Sequence, residues 1–356
     1  MKIFLILAFF CSGFISLAQK DTTEYPPKIV GVPIVFYGPE TSFGFGAAGF
    51  LSFKFQRGDS LLRPSQINAG AAYTLEKQLL TYASYDLWIK ENNYNCTGEL
   101  GYYRYFYNFW GVGLEPKQLE VYSLNFPRIR FEGVRRIKNA LYGGLKFTFD
   151  DFSITEKETG GRLDQGLYPG TSGGKISGAG VIVKYDSRNH NFYPTSGWNI
   201  VGSFEKFDEV IGSDFSYNLT WLNLIRYFDL RRDKVLAANI YGRFMSGTVP
   251  FFHLSQMGGN RRMRGYYEGY HRDKQMIGWQ AEFRTPVYRR FGWVIFAGNA
   301  TVAERIESFS LGRFKTAVGT GIRFKLDEER KINLRLDFAV SSDRTTGFYF
   351  TLGEAF

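Results

Sequence analysis

Between Lys331 and Val340 the sequence alternates: Ile332, Leu334, Leu336, Phe338 and Val340 are apolar, while of the residues that oppose them Lys331, Asn333, Arg335 and Asp337 carry a charge or an amide and only Ala339 does not. The same period appears earlier, where Ile277, Trp279, Ala281 and Phe283 share one face and Gly278, Gln280, Glu282 and Arg284 the other. It recurs where Val318, Thr320, Ile322 and Phe324 oppose Ala317, Gly319, Gly321 and Arg323. A period of two belongs to a strand, whose successive side chains point to opposite faces. Faces this different need different surroundings, lipid or a core for the apolar one and water or ionic partners for the charged one. No apolar run of about 20 residues follows the first eighteen residues, which excludes a helical membrane span and leaves strands to make any crossing.

An open sheet in hydrocarbon would leave backbone N–H and C=O groups unpaired along its edges, so only a closed barrel crosses a membrane with strands. Strand-like runs separated by turn residues extend along the chain at 30–37, 43–55, 65–74, 79–89, 94–106, 119–131, 140–149, 176–185, 198–207, 215–228, 234–244, 276–287, 293–303, 316–326, 331–340 and 348–356. An even number of strands lets both ends of the chain lie on one side. The 35 Phe, 23 Tyr and 40 Gly against only 5 Met suit short strands with aromatic girdles. A soluble β-sandwich has a similar average composition, but the ending Gly347-Phe-Tyr-Phe-Thr-Leu-Gly-Glu-Ala-Phe356 separates the two. Its Phe348, Phe350, Leu352 and Phe356 look like the C-terminal β-signal of outer-membrane barrels. The expected fold class is all-β, a 16-stranded antiparallel transmembrane β-barrel.

Lys2, the apolar run that follows it and the small-residue site Ser16-Leu17-Ala18 read as a secretory signal peptide over 1–18. A short periplasmic segment at 19–29 and a barrel over 30–356 complete the expected organisation, with the outer membrane as its place. The net charge of +10 would suit nucleic acid, but an exported chain meets none, and its basic residues are spread along strands and loops. A solvated lumen and acidic lipid headgroups are better partners for that charge. Beyond Ala18 only Cys96 remains, so no internal disulfide forms. Paired-cysteine, His-Glu-x-x-His and phosphate-loop patterns are absent, and neither a metal nor a cofactor is expected. Gly170-Thr-Ser-Gly-Gly174 matches a nucleophile elbow in letters but lacks the strand-to-helix setting that makes one, so no catalytic residue is assigned.

Counting strands from a periplasmic start places the connection 246–275 outside the cell at its beginning. At about thirty residues it is long for a structureless loop, and such loops tend to be functional or packed against something. It contains Gly258-Gly259 and then Met263-Arg264-Gly265-Tyr266. This run resembles the Val/Ile-Arg-Gly-Phe/Tyr signature of the bacterial surface antigen family, the superfamily of outer-membrane barrels that includes BamA, TamA and the two-partner-secretion transporters. The resemblance implies an extracellular loop folded into the lumen, with the Arg264 guanidinium against acidic groups of the wall. A planar cation with five donors suits bidentate pinning, and a glycine beside it allows close backbone approach.

Glu282 and Arg284 match the family's Glu-x-Arg pattern on the following strand. The next strand departs from the family's Phe-x-Asp-x-Gly, reading Phe296-Ala-Gly-Asn-Ala300, which leaves Glu282 and Asp337 as candidate partners of Arg264. A second match runs from Tyr185 to Gly197, where Asp186 and Arg188 can pair across a periplasmic turn closed by Pro194 and Gly197. A weaker third is Phe109-Trp-Gly-Val-Gly113.

The function implied by the resemblance is protein insertion or translocation at the outer membrane, with lipid as a second class of cargo. Its partners would be outer-membrane lipids and unfolded outer-membrane or secreted polypeptide. Relatives carry periplasmic POTRA modules before the barrel, and 19–28 is too short for one, so a separate periplasmic partner or a second copy of the chain would supply delivery. The seam would join 30–37 to 348–356, and Gly31 and Pro33 weaken pairing in its first strand. The alternative is a passive or gated diffusion pore, or a structural barrel.

Overall fold

The computed structural model describes residues 27–38, 42–55, 62–328 and 331–356. The signal peptide at 1–18 and most of the segment at 19–29 lie outside the described residues. Alternating sequence becomes strand throughout: β1 (Lys28–Gly38), β2 (Ser42–Phe53), β3 (Ser65–Thr74), β4 (Leu79–Ile89), β5 (Tyr94–Phe109), β6 (Glu120–Lys138), β7 (Leu141–Lys157), β8 (Gly174–Asp186) and β9 (Gly197–Phe207). There follow β10 (Tyr217–Asp229), β11 (Val235–Gly247), β12 (Ser255–Met257), β13 (His271–Asp273), β14 (Gln275–Tyr288), β15 (Phe291–Ala303), β16 (Lys315–Asp327), β17 (Ile332–Ser341) and β18 (Thr346–Leu352). Sixteen of these form one antiparallel sheet in chain order, β11 pairing directly with β14, while β12 and β13 make a separate two-stranded ribbon. Among the described residues no helix is long and apolar enough to cross a membrane.

The sheet is inside out by the standards of a water-soluble protein. Ile240, Ile322 and Phe338 are exposed by 61, 51 and 49%, whereas Glu282 and Asp337 are fully buried. One face is thus an apolar outer surface and the other a charged interior. The curl that creates an interior is visible in contacts between distant strands. Lys28 of β1 ion-pairs with Asp327 at the end of β16, and Arg63 before β3 reaches Asp186 at the end of β8. Among the described residues no ladder joins β1 to β18.

The connections after β4, β6, β10, β14 and β16 are short hairpin turns at the end where β1 begins, the turn end. Those after β5, β7, β9, β11 and β15 are longer and lie at the other, the loop end. There Phe109, Tyr122, Phe152, Phe207 and Tyr217 from the strands pack with Phe251 and Phe252 from the β11–β14 connection into a buried aromatic cluster.

Three details differ from the sequence reading. β6 and β7 run on to Lys138 and Lys157, beyond the expected ends at 131 and 149. Arg128 and Arg130 of β6 pair with Asp150 of β7, so Asp150, which reads as the start of a loop, is a cross-strand partner. The ribbon of β12 and β13 was not expected, since three-residue strands carry no periodicity. Finally, β18 stops at Leu352 rather than 356, because Gly353 takes a φ of 82° and turns the chain inward. Phe348, Phe350 and Leu352 share the outer face, but Phe356 leaves it to pack beside Ile225, Tyr227, Val235 and Ala237.

Candidate functional site

The connection between β11 and β14 is built to approach a wall. Its glycines sit where backbone needs the left-handed region: Gly258, Gly259 and Gly265 have φ of 111, 99 and 111°. At Gly258 a Cβ would lie 2.3 Å from the Tyr267 carbonyl oxygen, and at Gly265 one would lie 3.1 Å from the Val340 backbone of β17. Met263 shares the positive φ and is buried with Tyr266, Met257 and Tyr241.

This path delivers Arg264 to the interior face of β14–β17. Its Nη2 donates to Glu282 Oε2 at 2.6 Å and its Nη1 to Asp337 Oδ2 at 2.5 Å, with all three side chains fully buried. The guanidinium also lies over the Phe296 ring, 3.5 Å from its centroid, a cation–π contact in a dry site. Two glycines make the space. A Cβ at Gly321 would fall 2.0 Å from the Asp337 carboxylate, and one at Gly319 would fall 2.3 Å from the Phe296 ring.

Glu282 and Asp337 each hold a second arginine. Arg284 Nε donates to Glu282 Oε1 at 2.7 Å, and Arg323 Nη1 to Asp337 Oδ1 at 2.6 Å. Arg323 continues to Glu354 at 2.8 Å, while Arg335 donates to Thr351 of β18 at 2.7 Å and to the Asn260 carbonyl of the connection at 2.9 Å. A buried charge is tolerable only when paired, and here four guanidiniums share three carboxylates.

Neighbouring bonds extend the attachment. Tyr349 Oη accepts from Gly265 N at 2.9 Å, Thr345 Oγ1 donates to Gly265 O at 2.6 Å, and Tyr266 Oη meets Ser342 Oγ at 2.9 Å. His271 Nε2 hydrogen-bonds Asp343 Oδ2 at 2.8 Å. Burial pushes that imidazole below its ordinary range despite the carboxylate. His253 is driven down further, first by burial and then by Arg243, which donates to its Nε2. On the opposite wall Gly113 N donates to Arg272 O at 2.8 Å and Arg272 Nη2 to Asn108 O at 3.1 Å, so the Phe109–Gly113 element touches the same connection.

Of the residues singled out in the sequence, Arg264, Glu282 and Asp337 meet directly, Arg284 joins through Glu282, and Gly265 lies against the Val340 backbone and Tyr349. Arg323, Tyr349 and Glu354 were not singled out, and Phe296 was noted only as the start of the strand that departs from the family's Phe-x-Asp-x-Gly. A lone carboxylate in an otherwise apolar ending was the available signal for Glu354. The Asp186 turn is separate: Arg188 donates to both Asp186 oxygens, at 2.9 and 2.7 Å, and Arg63 adds a third contact. Gly197 closes that turn with a φ of 102°, where a Cβ would lie 2.1 Å from the Ser187 carbonyl oxygen.

The sequence profile of the Omp85 superfamily domain matches residues 63–356. BamA from Haemophilus ducreyi, solved without its POTRA domains 1–3, superposes with a TM-score of 0.56 at 15% identity, covering 93% of this chain and 69% of that one. CdiB from Acinetobacter baumannii gives 0.55 at 13% identity, covering 92% of this chain and 59% of that one. At these identities the likeness is one of fold, and this chain spans well under two thirds of the CdiB chain. No curated protein sequence matches it closely.

Proposed function

The chain belongs to the Omp85 superfamily, and from that premise we propose that it inserts or translocates polypeptide at the outer membrane. In this reading the curled sheet closes into a barrel, the β11–β14 connection occupies its lumen from the extracellular side, and Arg264 pins it there. The observation that carries the reading is the pair of strand edges at β1 and β18, which no ladder joins among the described residues. A row of free backbone donors and acceptors is a template for another strand, and a substrate strand would pair there by β-augmentation.

The pinned connection is attached beside this edge. Arg264 reaches β14 and β17, Gly265 reaches β18, and Arg335 links β18 to the connection. Its docking therefore bears on how firmly the last strands are held. Pro33 lacks a backbone donor and Gly31 lacks a side chain, both of which weaken β1.

The test is to lock the edge. Disulfide pairs between outward-facing positions of β1 and β18, such as Ile29→Cys with Phe350→Cys, should abolish assisted folding of a substrate barrel when oxidised and restore it on reduction. Full activity of the oxidised protein would refute the seam mechanism, and a large steady conductance in the unmodified protein would favour a diffusion pore.

A further inference from the structure

The turn end carries a charge pattern that the polypeptide-handling site does not use. Lys90 of the β4–β5 turn, Arg135 and Lys138 around the β6–β7 turn, and Arg231, Arg232 and Lys234 of the β10–β11 turn are exposed. Arg289 and Arg290 between β14 and β15, and Lys331 before β17, are exposed as well. In these same turns only Glu91, Asp229, Asp233 and Glu328 are exposed carboxylates among the described residues. The loop end shows no such surplus, since Glu158, Asp164, Glu209, Asp214, Glu304 and Glu307 are exposed among its lysines and arginines.

Backbone conformation adds an independent sign. Lys90, Arg231, Arg232, Arg289 and Lys331 have φ of 50, 66, 51, 47 and 53°. Tight hairpins put glycine or asparagine at such positions because other side chains are strained there. Lys77 and Arg344 at the loop end share the conformation, so strain alone does not distinguish the ends. What distinguishes the turn end is strained cations together with a surplus of positive charge.

The cations also adjoin the apolar outer surface. Ile137, exposed by 66%, lies between Arg136 and Lys138, and Leu230, exposed by 46%, precedes Arg231. Tyr288 and Phe291, exposed by 62 and 48%, flank Arg289 and Arg290. A cation one residue beyond a lipid-facing side chain stands at headgroup depth. The turns are distributed along the sheet from β4 to β17 rather than gathered in one patch, which suits a ring of small ligands better than one docked protein.

We propose that this rim binds anionic phospholipid headgroups in the leaflet at the turn end, an inference that rests on the barrel reading above. Phosphate oxygens accept from guanidinium and ammonium groups with charge assistance, and each basic residue near an anionic surface contributes separately. The rim would hold an acidic lipid annulus around the turns.

The full chain is reconstituted in phosphatidylcholine vesicles with a trace of spin-labelled phosphatidylglycerol or spin-labelled phosphatidylcholine. The wild type should favour the anionic probe by about fivefold at low salt. That preference should fall toward unity in the combined variant Arg231→Asn, Arg232→Gly, Arg289→Asn and Lys331→Asn. These replacements suit the left-handed turn, so the sheet's melting temperature should hold or rise. Equal association of the two probes with wild type, or unchanged selectivity in the variant, would overturn the proposal and leave an acidic protein as the rim's occupant. Protease protection in the same vesicles separates the two readings. A chain that fails to insert removes the barrel and the rim together, whereas an inserted chain without selectivity removes the rim alone.

Discussion

Arg264 is the residue that ion-pairs the β11–β14 connection to the interior face of β14 and β17. Its two carboxylate bonds and its place over Phe296 use the reach and planar fork of a guanidinium. Removing one partner of a buried pair costs about 3–5 kcal/mol, because the charge left behind has lost its compensation. Arg264→Ala should therefore release the β11–β14 connection, seen as trypsin cleavage after Arg261 or Arg262 under conditions that leave wild type intact. Arg264→Lys should cleave at an intermediate rate, since an ammonium cannot bridge Glu282 and Asp337 in the planar bidentate way. Equal resistance in all three proteins would show that the pair does not hold the connection. Much of this was legible from sequence: Glu282 and Asp337 were acids on polar strand faces, and Arg264 stood in a glycine-rich signature. Arg323 and Glu354 were not legible as partners, because their meeting depends on strand register and on the inward turn at Gly353.

At the scale of elements, the late strands were readable from alternation, which their apolar outer face makes conspicuous, and the early ones, such as β1 and β2, from aromatic and β-branched runs between turn residues. β12 and β13 were hidden because Ser255-Gln-Met and His271-Arg-Asp are too short to show a period. His271 in that ribbon and His253 just before it give the connection a pH response. His253 and His271 are held below their ordinary value of 6.5 while docked. On release they regain it, so the released form binds more protons as pH falls below about 6.5. Taken alone, the histidines leave docking unaffected above that value and weaken it below, by up to about 1.4 kcal/mol per histidine for each pH unit until the docked pKa is reached. Glu268 and Asp273 of the same connection, whose carboxyls burial raises, oppose part of the loss as they take up protons. Hydrogen exchange corrected for intrinsic rates should show protection across 255–273 falling between pH 7.5 and 5.5. The fall should be smaller in His271→Gln. Protection that does not change with pH would contradict this.

For the whole molecule, the sheet with its charged face inward and apolar face outward is explained by a membrane environment and by nothing in a water-soluble packing scheme. Its sixteen-strand order and its likeness in fold to BamA and CdiB agree with that environment. Joining the pinned connection to the edges of β1 and β18, which no ladder joins among the described residues, gives the proposal that the chain speeds strand insertion and that Arg264 docking supports it. The direct measurement is the folding time of an unrelated outer-membrane barrel in liposomes containing this chain, with wild type and Arg264→Ala compared at equal inserted amounts. The account predicts faster folding with wild type and loss of most of that acceleration in the variant. No acceleration by wild type, or the same acceleration by both, would contradict it.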